Sequence, residues 1–330
     1  MVQAQEVYSA MNGTQQMNSS KHNQIPRFAV CLAAYNGMAY VTEQIDTILL
    51  QRNVFVQIFV SVDQSTDGTE MHLARWALSE PRLTLLPFGQ RFGGAGPNFY
   101  RLLQEVDLSG FAYLSFADQD DIWHPEKLWR AHSLMSAQSA MGYSSNFTAF
   151  WPSGEARVVN KAWPQRTWDF LFESAGPGCT YVLHSSLALP LQQLVRNADT
   201  KLLRVDYHDW LTYAFARSHN YPWVIDSWPS MQYRQHAHNQ IGVNLGWHSF
   251  WLRVLKILSG YGFEQSLLIT DLIQASALPL VLRGLRGGRL GYLWLALRAT
   301  QCRRKRIDQM WFFISCVLLA LFKRAGRGGA

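Results

Sequence analysis

Cysteine is scarce in this chain: Cys31, Cys179, Cys302 and Cys316 are the four among 330 residues, and no two are close together. That spacing excludes a zinc module and a disulfide framework, and it suits a reducing compartment. Long apolar runs are also missing, since none reaches the roughly 20 residues a membrane-spanning helix requires. The first stretch, Met1–Gln24, is polar and lacks the apolar core of an export signal, so it reads as a mobile leader. No G-x-G-x-x-G follows the first apolar run, which disfavours a dinucleotide-binding dehydrogenase. No G-x-x-x-x-G-K-[ST] occurs, which excludes a P-loop ATPase. No internal repeat is present. Basic charge is lacking over most of the length: the net +7 arises because 281–330 carry eleven Lys or Arg against Asp308 alone, leaving the preceding 280 residues slightly acidic. A diffuse nucleic-acid-binding surface is excluded on that ground, whereas a basic tail fits an anionic lipid leaflet.

What is present is an apolar chain, 48% hydrophobic with 13 tryptophans, long enough for a large core. Phe28–Ala34 is a continuous apolar run, the mark of a parallel strand buried on both faces. Helical spacing follows over Tyr40–Leu50, then a second strand over Val54–Val62 and a helix reaching Leu78. A short strand, Arg82–Leu86, leads to a Gly-rich loop (Gly89–Pro97) and a helix over Asn98–Val106, and Phe111–Ala117 is a fourth strand. This alternation predicts a doubly wound α/β sheet, in which ligands bind beyond the carboxyl ends of the strands. Tyr35, Asp63 and Asp118 lie at those ends, so one site is implied. A less regular half follows, with strands near Asn146–Trp151 and Cys179–Leu183 and a helix starting near Asp209, after which come the segments Trp223–Ser227 and Met231–His236.

The stretch FADQDDIWHPEKL, Phe116–Leu128, carries the most chemistry. An apolar strand stops and delivers Asp118, Asp120 and Asp121 within four residues. Carboxylates that close repel unless something positive sits between them, and a hard divalent ion with oxygen ligands, Mg2+ or Mn2+, does this while bridging to phosphates. Pro125 is expected to start the next helix, with Glu126 in its first turn.

AYNG after the first strand, VSVDQSTDGT after the second, FADQDDIWHPEKL and YHDW, in this order, resemble the family 2 glycosyltransferases of the GT-A fold. DQDDIW together with YRQHAHNQIG is similar to the bacterial rhamnosyltransferase-like branch. The resemblance spans about Arg27–Gly242. It implies a Rossmann-like nucleotide-sugar-binding sheet flanked by helices. Ala34, Tyr35 and Asn36 would line the nucleotide pocket and Asp63 would accept from the base's ring N–H, although Val62 stands where the family often has an acid. Asp118 and Asp120 would be the Asp-x-Asp pair, Asp120 ligating a divalent metal (Mn2+ or Mg2+) and Asp118 nearer the ribose and the metal's waters, with Asp121 in support. His236 would complete the metal shell and Trp123 would pack under the loop. Arg91 and Asn98 are donor contacts by the same comparison, as is His208, whose neighbour Asp209 would be the catalytic base.

These roles imply an inverting transfer, with dTDP-L-rhamnose as donor and a lipid-linked saccharide of lipopolysaccharide, O-antigen or exopolysaccharide as acceptor. A UDP-hexose donor, a nucleotidyltransferase, a glycoside hydrolase and a catalytically silent scaffold are the rivals. The nucleotidyltransferase is disfavoured because AAYNGMAY has no Lys or Arg, and the scaffold because the acids are all present. The chain divides into a leader (1–26), a catalytic domain (27–245) and a basic helical extension (246–330). In the extension Met310–Phe322 is thirteen apolar or small residues between Arg303–Arg306 and Lys323–Arg324. It suits a helix lying in a leaflet more than one packed on the main domain or on a partner chain, so the enzyme is expected on the cytoplasmic face of the inner membrane. Deleting 307–330 is expected to release it with nucleotide binding intact.

Overall fold

The computed structural model describes residues 25–235 and 260–322. The leader up to residue 24, His236, and the proposed boundary at 245/246 lie outside them. The first half alternates as the apolar runs require: β1 (Arg27–Ala34), α1 (Val41–Leu49), β2 (Phe55–Val62), α2 (Thr69–Ala77), β3 (Leu83–Leu85), α3 (Ala95–Glu105) and β4 (Tyr113–Ala117). β5 (Ile122–Trp123) and α4 (Lys127–Gln138) follow, then β6 (Gly142–Phe150), β7 (Ala156–Val159), β8 (Val182–His184), α5 (Ser185–Asn197), α6 (His208–Ser218) and β9 (Trp223–Arg234). The last layer is helical: α7 (Tyr261–Leu272), a π-turn at Val281–Leu285, α8 (Gly288–Ala296), the short α9 (Ala299–Cys302) and α10 (Arg306–Phe322).

One nine-stranded sheet runs β3-β2-β1-β4-β8-β6-β9-β5, with β7 beside β6. β1 is parallel to both β2 and β4, while β8 joins β4 antiparallel and turns the sheet from parallel to mixed. β1 is apolar without alternation because both faces are covered: Phe28, Val30 and Leu32 enter one core, Ala29, Cys31 and Ala33 the other. The parallel strands end together, and their outgoing loops form one rim.

Several elements differ from the sequence reading; the strand expected near Cys179–Leu183, for one, is Val182–His184, with Gly178–Thr180 in a 3-10 turn before it. α3 begins at Ala95, taking in Gly96 and Pro97, because a proline in the first turn loses no intrahelical bond. α4 begins at Lys127, whose N–H bonds the His124 carbonyl, so Pro125 and Glu126 belong to the turn before it. Trp223–Arg234 is one strand where the sequence shows two separate segments, because Ser227, Trp228 and Pro229 interrupt its pattern at the irregular pairing with β6 around Asn146. α5 contains Pro190 and was not foreseen.

The C-terminal helices do not stand apart. Phe263, Tyr292, Leu295, Phe312, Cys316 and Leu319 belong to the same continuous core as Phe99, Phe116, Phe172 and Trp210. Phe172 lies edge-on to Phe312 with ring centroids 4.8 Å apart. Removing 307–330 would therefore open that core rather than release an independent tail. No helix among the described residues is long and apolar enough to cross a membrane.

Candidate active site

The rim is built by side chains that tie one loop to the next. The Gln119 amide closes a pair of bonds on Tyr35, accepting from its N–H at 2.7 Å and donating to its carbonyl at 2.8 Å. Gly37 is needed beneath this clamp, since a Cβ there would stand 2.4 Å from Gln119 Oε1. Asn36 adopts a left-handed φ of 46°, which Asn tolerates, and its Oδ1 accepts from Thr66 N–H at 2.8 Å. Tyr35 is left half exposed at the cleft while Ala34 is buried at its floor.

Asp63 is buried, and its carboxylate accepts from the backbone N–H groups of Phe92 at 2.7 Å, Gly93 at 2.9 Å and Gln64 at 3.0 Å. It anchors the Gly-rich loop at the end of β2, and three acceptances leave one lone-pair position for a ligand N–H. Arg91 is exposed on that loop. Asn98 is a buried tie: its Nδ2 donates to Ser61 O at 3.1 Å, and its Oδ1 has no hydrogen-bond partner among the described residues.

The acidic cluster sits at the end of β4. Burial, then the charge of Asp120, pushes the Asp118 carboxyl up to about 7. Asp121 is 1% exposed, neither of its carboxylate oxygens has a hydrogen-bond partner among the described residues, and burial beside Asp120 and Asp118 pushes it well above the usual range. Asp118, Asp121 and Cys179 bring ligand atoms within 4.8 Å of one another. Burial and the two acids push the Cys179 thiol up as well, so it stays a thiol beside the carboxylates. Trp123 packs under the loop, 2% exposed, and Lys127 lies against its ring with Nζ 3.1 Å from the centroid and 2.5 Å from the Cys179 carbonyl. Lys127 is fully buried, and burial brings its ammonium down to about 7. With both Asp121 oxygens lacking a hydrogen-bond partner among the described residues, and with Asp118 and Asp120 crowded beside it and partly exposed, the cluster fits a hard divalent cation. Lys127 and Cys179 escaped the sequence reading: the first sits inside the quoted motif, but the second is 52 residues further on.

Across the cleft, α6 starts with His208 and Asp209. His208 stacks on Phe99 at 3.9 Å between centroids, and burial lowers it to about 3, so it is a neutral ring. A Cβ on Gly178 would stand 2.3 Å from its Nε2, so the ring is wedged between helix and loop, and Nε2 has no hydrogen-bond partner among the described residues. Asp209 Oδ1 accepts from Trp210 N–H at 2.7 Å. Burial pushes the Asp209 carboxyl up to about 6, while the Trp210 N–H, the Ser174 hydroxyl and Lys161 hold it from rising further. It lines a cleft of about 490 Å3, in the size range of small-molecule sites.

Part of the basic cluster that the sequence assigned to lipid headgroups faces this cleft instead. Arg304 is 5% exposed, with Nε 3.3 Å from Glu173 Oε1 and 3.6 Å from Asp169 Oδ2. Arg303 pairs with Glu173, and Arg217 reaches Asp169 at 3.1 Å. Lys305 and Arg306 are exposed.

Comparison with known proteins agrees with this geometry. The family model described as glycosyl transferase family 2 matches residues 29–183. The dTDP-rhamnosyl transferase RfbG of Shigella flexneri is 37% identical over 289 residues, covering 87% of this chain and 99% of that protein. An Escherichia coli protein, the UDP-Glc:alpha-D-GlcNAc-diphosphoundecaprenol beta-1,3-glucosyltransferase WfgD, is 25% identical over 56% of this chain and 68% of its own. Among solved structures, S. aureus TarS 1–349 in complex with UDP superposes with a TM-score of 0.52 at 13% identity, over 92% of this chain and 94% of that one. The same protein with UDP-GlcNAc gives 0.51. A GT-A sheet, a rim of carboxylates at its parallel strand ends and a full-length likeness at 37% identity lead to one assignment: the chain belongs to glycosyl transferase family 2 and is a glycosyltransferase.

Proposed function

We propose that the enzyme transfers L-rhamnose from dTDP-L-rhamnose, with inversion, to a lipid-linked saccharide of the kind used in lipopolysaccharide, O-antigen or exopolysaccharide synthesis. The observation that carries the donor is the 37% identity, along almost its whole length, to a dTDP-rhamnosyl transferase. Tyr35 offers an exposed ring for the base, and Asp63 has one acceptor position left for the thymine ring N–H. Asp118 and Asp120 hold a divalent ion, Mn2+ or Mg2+, with Asp121 behind them. Bound there, the ion supplies Lewis-acid stabilisation of the charge that grows on the departing diphosphate. His236, expected to complete that shell, lies outside the described residues. Asp209 takes the proton of the acceptor hydroxyl as it attacks from the opposite face. A carboxyl at about 6 is mostly ionised at neutral pH yet basic enough to accept a proton in the transition state.

The enzyme works at a membrane surface, on the cytoplasmic side. α10 buries Phe312, Cys316 and Leu319 but leaves Met310, Phe313, Leu321 and Phe322 exposed, where a solvated helix face would be polar. Leu290 of α8 and Leu297 at its C-terminal cap, each 79% exposed, extend the apolar surface, and Arg283, Arg286 and Arg289 lie exposed near it in sequence. Apolar side chains among cations suit the interface of an anionic leaflet.

The test is calorimetric titration of the purified chain with dTDP-rhamnose, UDP-glucose and GDP-mannose, with and without Mn2+, repeated on Asp120→Ala. Metal-dependent binding of dTDP-rhamnose that Asp120→Ala loses is the expected outcome. Preference for a UDP sugar would replace the donor, and metal-independent binding would remove the carboxylates from their role.

A further inference from the structure

The side chain of Gln119 joins the loop that carries the acids to the loop that carries Tyr35. The parallel pairing of β1 with β4 ends at Leu32 and Ala117, short of the rim. Beyond it the Gln119 amide acts as a peptide group would, accepting from the Tyr35 N–H at 2.7 Å and donating to the Tyr35 carbonyl at 2.8 Å. An amide that spends its oxygen and its nitrogen on one residue's backbone has a single seating, so Gln119 and Tyr35 move together. The far side of the Tyr35 loop is tied to β2's outgoing loop and the start of α2. The Asn36 N–H donates to Ser65 Oγ at 3.0 Å, the Gly37 N–H to Thr69 Oγ1 at 2.8 Å and the Met38 N–H to Asp67 Oδ2 at 3.0 Å. Those bonds are indifferent to what happens at the acids, and the two from Gln119 are not. Gln119 stands between Asp118 and Asp120, with Asp121 next. Carboxylates this close repel one another until a cation draws them together, and drawing them together fixes the peptide from which Gln119 extends.

We propose that Gln119 is a positioning residue that couples the cation at the acids to the face Tyr35 offers the base, so that each tightens binding of the other. The inference rests on the reading of Asp118 and Asp120 as cation ligands and of Tyr35 as the base's platform. Such coupling is reciprocal: whatever factor the cation adds to base binding, the base adds to cation binding. A nucleoside diphosphate hides it, because its phosphates meet the cation directly. A nucleoside has no phosphate, so any gain it draws from the cation travels through the protein. Gly37 reaches the same two bonds from the opposite loop. A Cβ there would stand 2.4 Å from Gln119 Oε1, the far end of a flexible side chain, and the Gly37 backbone is one that any residue adopts. Gly37→Ala therefore turns the amide away without altering the acidic loop.

Calorimetric titration of the full chain with thymidine and with uridine, in EDTA and in saturating Mn2+, reads the coupling without turnover. For the nucleoside that the wild type binds, Mn2+ should lower Kd by about fivefold or more, the lower end of coupling between two sites. In Gln119→Ala and in Gly37→Ala the two Kd values should agree within about twofold, through loss of the gain in Mn2+. Both variants should still take up Mn2+, followed by the paramagnetic resonance of the free ion. A wild-type Kd that ignores Mn2+, or a gain that survives in both variants, would overturn the coupling and leave the two binding places as read. Loss of Mn2+ uptake in Gln119→Ala would make Gln119 part of the cation site itself and overturn the positioning role. Failure of the wild type to bind either nucleoside in Mn2+ would overturn the coupling together with the reading of Tyr35.

Discussion

If Asp209 is the base, its ionisation sets the acid limb of the reaction. The perturbation is pH, read against the replacement Asp209→Asn. The carboxyl is pushed up to about 6 chiefly by burial, and only the ionised form can take the acceptor proton. Activity should therefore be flat above about pH 7 and fall through pH 6. At pH 5 about a tenth of the base is ionised, so kcat/KM should be about a tenth of its plateau. Asp209→Asn should lose about 10²–10⁴ of the plateau rate with donor affinity retained, the contribution expected of a positioned general base. Release of the nucleoside diphosphate, measured at saturating acceptor, is a sufficient assay. The Asp118 carboxyl, at about 7 without metal, could produce a limb of its own. Proton and cation compete at that site, so a limb owed to Asp118 moves to lower pH as metal is raised, whereas a limb owed to Asp209 stays. An Asp209→Asn enzyme keeping more than a tenth of the rate, or a wild-type limb that follows metal concentration entirely, would refute the assignment.

Arg304→Met should destabilise the whole protein, because it leaves Glu173 with only the 3.6 Å contact to Arg303 and Asp169 with Arg217; about 3–5 kcal/mol is the usual cost of breaking a buried pair, read as a lower urea midpoint. A change confined to acceptor kinetics, with the midpoint unmoved, would mean the network carries no structural weight. Leu290→Glu with Leu297→Glu should reduce co-sedimentation with vesicles containing anionic lipid while leaving the melting temperature unaltered, since both side chains are 79% exposed. Undiminished sedimentation would remove α8 from the membrane-facing surface.

The parallel half of the fold was legible because its strands are buried on both faces. β1 has no polar residue from Phe28 to Ala34, and a run that short and that apolar leaves few alternatives. The acids at the end of β4 were legible because charge after a buried strand is conspicuous. Other parts of the site depend on contacts that sequence spacing does not encode. Cys179 meets Asp118 and Asp121 because β8 turns beside β4. Arg304 belongs to a run of four basic residues that reads as solvated, and its partners Asp169 and Glu173 lie more than 130 positions earlier. β5 has only two residues, paired to Gln232 and Met231, so no periodicity could reveal it. α5 was hidden by Pro190, a residue that argues against helix in any local reading.

Metal should separate the two ligands of the proposed reaction. Asp118 and Asp121 are crowded at the end of β4 with Lys127 fixed nearby, and burial beside neighbouring acids pushes both carboxyls up. If this cluster is the donor's cation site, its carboxylates repel a diphosphate until a divalent cation intervenes. The cleft beside Asp209 sets Lys161, Arg303, Arg304 and Lys305 against Glu173, Asp209 and Asp308, so its charges are nearly balanced and a saccharide bound there needs no metal. Chelation should therefore abolish binding of the nucleotide sugar and spare binding of the acceptor saccharide, and excess Mn2+ should restore the first without strengthening the second. Titration of each ligand in EDTA and in Mn2+ reads this directly. Loss of both on chelation would mean that the two share one metal-bridged site, and the separation of donor and acceptor places would have to be abandoned.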